Sequence, residues 1–537
     1  MNITIYKKKI FTILVLLLVF FLGLLTERFH IDNKAADSFK DSYDKVSRFI
    51  YSFLPREEIS IIIKPKEYKK IIEARNKSVK QNKLTKDLES WSDGKLLLNE
   101  EARNVQVRLK GVFSDHWSDA KQWSFKLKIK NDSKPLNGLK RFALQPPKTT
   151  SYIYEWLFMK ALEKEDLFSL GAEFIDLKIN GENLGAYTVI GQISDELIKK
   201  NNKQIAPIIG FDSELWIQEQ IQANKLNSKG VIKRENNTED SYYRVKINPI
   251  QFTINENEDN LQQLKEAINL LESFRQGNIK TSEAFDTDKL AKVMALRALL
   301  GSYQFDWLDT KFYYNLKTKL LEPISKEIHV DLNHNYKLHY PTWWIDSYKP
   351  RASYEMKKDF FVDDIYKDKI FYDKYLKQLD KFSKINYFED LIKENNEEFK
   401  HYLKMLRMNY PTKKVFSRDH LEVTRLRIQN FLNPLQGLKA YFSKYEKGLL
   451  NLNISNLQRI PIIVKGISFD DNSILDLNEK IFLEGKKPFV PVKIEDIRFN
   501  CNFKSNCKKN RIRNQKVIYK ILGQDEDKYA SISPFYK

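Results

Sequence analysis

Residues 105–130 carry the sharpest alternation of apolar and polar positions in the chain. Val105, Val107 and Leu109 alternate with Gln106, Arg108 and Lys110, and Trp123, Phe125, Leu127 and Ile129 alternate with Ser124, Lys126, Lys128 and Lys130. Strand side chains have period two, so the pattern predicts two strands, each with an apolar and a polar face. If the strands pair, Arg108, Lys110, Lys126 and Lys128 share one surface. Four cations on a rigid surface suit a polyanion such as a nucleotide triphosphate. The competing reading is the solvated outer face of a basic protein.

The same reasoning places the other elements. Residues 59–63 read as a strand and 67–75 as a helix, and the polar stretch 76–94 as a loop or loose helix. Thr149, Thr150 and Ser151 are placed to cap a helix over 152–162, with Glu155 in its first turn where a carboxylate suits the helix dipole. Asn180-Gly181 between 174–179 and 184–190 is a hairpin signal. Residues 201–255 look irregular, with Trp216, Tyr242 and Tyr243 as packing anchors. Leu261, Leu264, Ile268, Leu271 and Phe274 recur at helical spacing, and a second helix beginning at Asp286 or Asp288 is apolar nearly all round, hence buried. Residues 311–315 and 320–324 form a strand pair. Helical stripes run from Phe360 to Leu432 and stop at Asn433-Pro434. Beyond Gly437, short alternating runs separated by turn residues predict a small all-β domain, a sandwich.

Charge and composition narrow the partners. The chain has 537 residues and a formal charge of +20, from 91 Lys+Arg against 71 Asp+Glu. Anionic partners follow. The charge is spread along the chain, without a basic helix or zinc-finger spacing, so nucleic acid is not expected. Lys7, Lys8 and Lys9 precede an uncharged run over 10–26, which predicts a membrane anchor with the N-terminus cytoplasmic and the bulk of the chain extracytoplasmic. A cleaved signal peptide is the competitor, but the run is long for one and no A-x-A-like pair precedes Glu27. In such a compartment Cys501 and Cys507 are expected to close a short disulfide loop, worth about 2 kcal/mol. Two thiols without a nearby histidine fall short of a zinc site. Residues 331–340, DLNHNYKLHY, gather Asp331, Asn333, His334 and His339. The histidines suit a transition metal or local hydrogen bonds, whereas the oxygens of Asp331 and Asn333 suit Mg²⁺. Neither a G-x-G-x-x-G nor a P-loop motif occurs.

In chain order, these segments resemble the CotH kinase family, the atypical kinases named for a spore-coat protein. The resembling residues are Arg108-Leu-Lys-Gly111, Asp115-His-Trp117, Ser124-Phe-Lys126, Tyr154-Glu155-Trp156, Asn180-Gly181 with Gly185-Ala-Tyr187, and Pro207-Ile with Phe211-Asp212. They continue with Phe312-Tyr-Tyr-Asn315, Leu321-Glu-Pro-Ile324 and Asp331-Leu-Asn-His334. The resemblance covers roughly 59–334, and Asn456 to Ile462 also looks like membrane-anchored members.

The resemblance implies an α+β architecture: an atypical two-lobed protein-kinase-like core, then a helical segment and a C-terminal β-sandwich-like domain. The expected divisions are a tip and anchor over 1–31, a stem over 32–56, a small β-rich lobe over 57–135, a larger lobe over 136–345, helices over 346–436 and the β domain over 437–537. ATP and Mg²⁺ are implied as cofactors, and an envelope or surface protein of a bacterial cell as phosphate acceptor. Lys126 is the expected phosphate lysine, assisted by Arg108 and Lys110 and oriented by Glu155. Asp306, or else Asp309, is expected beside the acceptor hydroxyl, and Asp331 with Asn333 at the metal. Ile190-Gly191-Gln192 stands where relatives carry glutamates, and Val330 where a tryptophan precedes the metal aspartate. Two alternatives rest on these departures and on the charge: a catalytically degenerate binding or scaffold module of the envelope, and an envelope protein whose cationic cleft binds anionic glycan.

Overall fold

The computed structural model describes residues 57–99, 101–228, 238–251, 258–302, 305–330, 360–469, 473–486, 491–501 and 515–534. The fold is α+β, with three sheets. Seven strands close a barrel: β1 (Glu58–Ile63), β2 (Ser92–Leu98), β3 (Glu101–Leu109), β4 (Phe125–Ile129), β5 (Arg141–Gln145), β6 (Ala172–Ile179) and β7 (Glu182–Gly191). Their spatial order is β1-β2-β3-β4-β5-β7-β6, and β6 closes the ring by pairing parallel to β1. Closure leaves no free strand edge.

The alternation seen in the sequence fills this barrel. Val105, Val107, Leu109, Phe125, Leu127 and Ile129 are at most 1% exposed and pack inside with Ile59, Ile61, Leu96, Phe142 and Leu177. The β3–β4 register sets Val107 opposite Leu127 and Arg108 opposite Lys126, so the predicted pairing forms and the cations point outward. The β6–β7 hairpin turns on Asn180 and Gly181, both at positive φ (50° and 86°), as a tight two-residue turn requires. The Asn180 Oδ1 also accepts the Ile63 N–H at 2.7 Å, tying the hairpin to β1. The boundary expected at residue 135 falls inside the barrel, because β5, β6 and β7 complete it. The first helix is longer than expected: Pro65–Gln81 runs through part of the polar stretch and ends on a left-handed Asn82.

A four-stranded antiparallel sheet follows, ordered β11-β10-β8-β9, from β8 (Ile208–Phe211), β9 (Ile247–Gln251), β10 (Lys311–Tyr314) and β11 (Leu321–Ile324). The stretch 201–255 is thus more regular than its polarity suggests, since it supplies β8, β9 and the helix Glu214–Ser228. Trp216 and Tyr242 are buried there as expected, while Tyr243 is exposed. The helix Ile153–Lys164 and the helix Thr287–Leu299 are buried on most faces; the Asp286 side chain caps the second by accepting the Lys289 N–H. Helices Lys369–Lys384 and Arg418–Leu432 pack beside it.

The C-terminal strands are β12 (Leu438–Glu446), β13 (Leu449–Asn456), β14 (Ile462–Ser468), β15 (Ile474–Leu483), β16 (Glu495–Asn500), β17 (Lys516–Ile521) and β18 (Lys528–Ser533). In place of two separate stacked sheets they form one seven-stranded sheet, because β12 and β18 pair in parallel at Ala440–Ile532 and Tyr441–Ser533. Cys501 is buried and disulfide-bonded. Cys507, the anchor expected over 10–26, Asp331 and Asn333 lie outside the described residues. Among the described residues no helix is long and apolar enough to cross a membrane.

The strand phase is open to a direct check by denaturant unfolding. Leu127→Ala, which empties a fully buried position, is expected to cost about 2–5 kcal/mol. Lys126→Ala, one residue away on the outer face, should cost less than about 1 kcal/mol. The reverse order of effects would mean that the phase of β4 is wrong.

Candidate functional site

The outer face of β3, β4 and β5 forms one wall of a cleft of about 340 Å³. Arg108 stands opposite Lys126, Lys126 opposite the small Ala143, and Lys128 opposite Arg141. Lys326, just after β11, closes the other side, and Trp91, Leu170, Ile193 and Ile250 supply apolar walls. Among the described residues, five cations and no carboxylate line this space. Arg108 lies over the Trp91 ring at 5.1 Å, with Glu89 Oε2 2.5 Å from its Nη1. Lys126 makes no hydrogen bond or ion pair among the described residues. Burial, and then the Arg108 guanidinium opposite, push its amine down to about 7.

A buried charge network lies behind the cations. Lys110 Nζ donates to Glu327 Oε1 at 2.5 Å and to Gln145 Oε1 at 2.7 Å. His116 Nε2 is 3.9 Å from Glu327 Oε2, and its Nδ1 is 2.9 Å from Ser124 Oγ. Burial alone would raise the Glu327 carboxyl; Lys110 and then His116 outweigh it and hold the group well below the usual carboxylate range. Burial, followed by Lys110, pushes the His116 imidazole down. Sequence reasoning missed Glu327. The one available signal was a lone acid in the otherwise apolar and basic stretch KEIHV.

Glu155 does not take the role expected of it. Its Oε2 accepts the Ile328 N–H at 2.8 Å rather than a Lys126 proton, and its Oε1 is buried without a hydrogen-bond partner. Burial pushes the carboxyl up to about 8, and the nearby Glu327 charge adds to this. Ser151 likewise is no helix cap: Tyr152 holds the cap position without a side-chain bond, and the Ser151 Oγ accepts the Val330 N–H at 2.7 Å. Ser151 and Tyr152 have φ of 55° and 58°, conformations that cost on the order of 1–3 kcal/mol each outside glycine. That strained turn aims Ser151 at residue 330. Arg297, 3% exposed, donates to the Lys326 carbonyl at 3.0 Å, the Glu327 carbonyl at 3.1 Å and Ser325 Oγ at 2.7 Å. Residues 325–330 are therefore pinned from both sides.

The expected aspartates stand next to this segment. Asp306 Oδ1 accepts the Leu308 and Asp309 N–H groups, both at 3.0 Å. Burial and the adjacent Asp309 charge push the Asp306 carboxyl up to about 6, against the pull of Arg297. Lys311, buried nearby, is pushed down to about 7 by burial and by Lys326, against the pull of Asp309, Asp306 and Asp212. Lys326 joins the two halves: its charge lowers Lys126, and Asp309 and Glu327 in turn act on Lys326. The structure thus brings Arg108, Lys110, Lys126, Asp306 and Asp309 into one electrostatic neighbourhood, adds Lys326, Glu327 and Arg297, and turns Glu155 toward Ile328.

The cleft fits the phosphates of a nucleotide, with cations on three strands and no acid among the described residues of its lining. For Mg²⁺, the described residues offer the adjacent Asp306 and Asp309 but no group of three metal-ligating side chains. The ligands expected at Asp331 and Asn333 lie beyond them. Compared with protein-family models and with curated proteins, the chain matches none.

The Glu155 environment sets a pH dependence. Its folded pKa lies above the unfolded value, so its contribution to stability is present in acid and is lost as pH rises through about 8. Glu155→Gln keeps an oxygen for the Ile328 N–H and cannot ionise. Its melting temperature should be equal to wild type near pH 5 and a few degrees higher at pH 8.5, read by scanning calorimetry. A lower melting temperature at pH 8.5 would mean that the Glu155 carboxylate is needed in its charged form.

Proposed function

We propose that the protein is a CotH-like phosphotransferase that moves phosphate from ATP to a hydroxyl of a surface or envelope protein. In this reading the barrel and the body built on β8–β11 are the two lobes of a kinase-like core, with the cleft between them. The observation that carries it is Lys326, which lines the cation-rich cleft, acts on Lys126 there and also feels the charge of Asp309. Phosphoryl transfer asks little covalent chemistry of a protein and mainly requires charge placed on the phosphates and a base at the acceptor. Arg108, Lys126 and Lys326 would hold the phosphates. Lys110 is tied down by Glu327 and Gln145 and keeps the segment leading to Asp331 against the barrel. Asp306, with Oδ1 held by two backbone N–H groups, has Oδ2 left to take the hydroxyl proton, and a pKa near 6 suits a base working at neutral pH. Mg²⁺ would supply further neutralisation of the phosphate oxygens, with Asp331 and Asn333 as its expected ligands. The anchor expected over 10–26 would hold the domain at the extracytoplasmic face.

A second reading keeps the cleft and drops the transfer: an envelope binding module for polyanions, including anionic glycan. The excess of cations in the lining and the absence of a glutamate at Ile190-Gly191-Gln192 support it.

Nucleotide binding and transfer separate the two. ATP with Mg²⁺ should raise the melting temperature of the purified chain and label an acceptor. Lys126→Ala should weaken ATP binding by about 10–100-fold. Asp306→Asn should leave ATP binding within a few-fold and lower transfer by about 10²–10⁴. With the base near 6 and the free Lys126 amine near 7, kcat/KM should rise through pH 6 and fall above pH 7. A salt-sensitive glycan complex with no effect of ATP or Mg²⁺ would sink the kinase reading and favour the second.

A further inference from the structure

The cation ladder on the barrel does not stop at Arg108 and Lys126. Two residues along β4, Lys128 faces Arg141 of β5 directly across the ladder, and both line the same cleft. Strands rise about 3.3 Å per residue, so the two rungs stand roughly 7 Å apart. Like charges set opposite each other destabilise a sheet, and here two such rungs follow one another.

The rungs differ in what relieves them. The first has Glu89 on Arg108, and Lys326 beyond it has Asp309 and Glu327. The second has no such relief. No carboxylate lines the cleft, and neither Lys128 nor Arg141 forms an ion pair or side-chain hydrogen bond among the described residues. Asp93 of β2, beyond Gln106 of β3 in register, is taken by Lys130 at 2.9 Å. Uncompensated positive charge is therefore concentrated at the Lys128–Arg141 end.

We propose that Lys128 and Arg141 form a second anion subsite, and that the cleft takes an extended linear polyphosphate chain spanning both rungs. This rests on the cleft being the phosphate site of the proposed function, and it lengthens the ligand past the three phosphates of a nucleotide. The density of charge favours phosphate over carboxylate: three cations crowd the inner end, which matches a phosphoanhydride chain with charge on every unit.

The test compares tripolyphosphate, a long-chain linear polyphosphate, poly-glutamate and Mg-ATP on the full chain by calorimetry. Wild type should bind the long chain at least about tenfold tighter than tripolyphosphate. In Lys128→Gln/Arg141→Gln that ratio should fall below about threefold, and the slope of log K against log salt for the long chain should drop by about 1–2. Lys413→Gln/Lys414→Gln removes the same charge from an exposed loop and should keep the wild-type ratio. An unchanged ratio in the rung variant, or an equal loss in the loop variant, would overturn the subsite. Poly-glutamate binding as tightly as polyphosphate would overturn the phosphate assignment. If Mg-ATP binds and chain length makes no difference, the subsite falls and the proposed function stands. If the long chain binds through the rung and Mg-ATP does not bind, the subsite stands and the kinase reading falls.

Discussion

The repulsion between Arg108 and Lys126 is held in place by the apolar residues that alternate with them. Opposed like charges cost a strand pair about 0.2–1 kcal/mol. Val107 and Leu109, opposite Leu127 and Phe125, outweigh it, because each fills the closed barrel at 1% exposure or less. Strand geometry leaves the cations no choice of face: slipping the register by one residue would bury them and expose the core. Trp91 and Glu89 then lean on Arg108 from the solvent side. A barrel whose interior is mostly apolar can therefore carry a patch of concentrated positive charge on its outside without loosening.

The opposite wall is organised around Arg297 instead. Its guanidinium comes from the mostly buried helix Thr287–Leu299 and donates to the backbone of 326 and 327, while Glu155 and Ser151 take the N–H groups of 328 and 330. One short segment thus receives fixed partners from two helices and a strained turn. The same segment sets Lys326 toward the barrel cations and Glu327 toward Lys110. Glu322, a few residues earlier, is 1% exposed and accepts from Lys203, Lys289 and Asn315, each at 2.6 Å. That motif glutamate ties β11 to its neighbours rather than meeting the cleft.

Locally periodic features were legible in the sequence. The β3–β4 pair, the Asn180-Gly181 hairpin, the buried helix after Asp286 and the strand-rich C-terminal region all announce themselves within a window of about ten residues. What the sequence hid depends on distant partners. The β1–β6 closure joins residues far apart in the chain, β8 is only four residues long, and β9 lies in a stretch whose polarity masks it. Arg108, Lys110 and Lys126 could be found as cations on one face. Their partners could not, because Glu327 and Arg297 gain meaning only once the fold sets them beside Lys110 and Glu155. Glu155 was misassigned for the same reason: its place in a first helical turn is local, whereas the N–H that it accepts comes from residue 328.

The tuning of these groups has one further consequence. An amine near 7 in a cationic cleft is protonated only in part at neutral pH. A bound anion supplies the opposite charge that the lining lacks, so it favours the protonated amine and lifts its pKa. Anion binding above neutrality is then coupled to proton uptake at Lys126. The carboxyl side responds in the same sense: negative charge brought near Asp306, like that of Asp309, raises its pKa further unless a cation arrives with it. Lys326 bears on both sides of the cleft, since its charge lowers Lys126 on the barrel and Lys311 beside the Asp306–Asp309 pair.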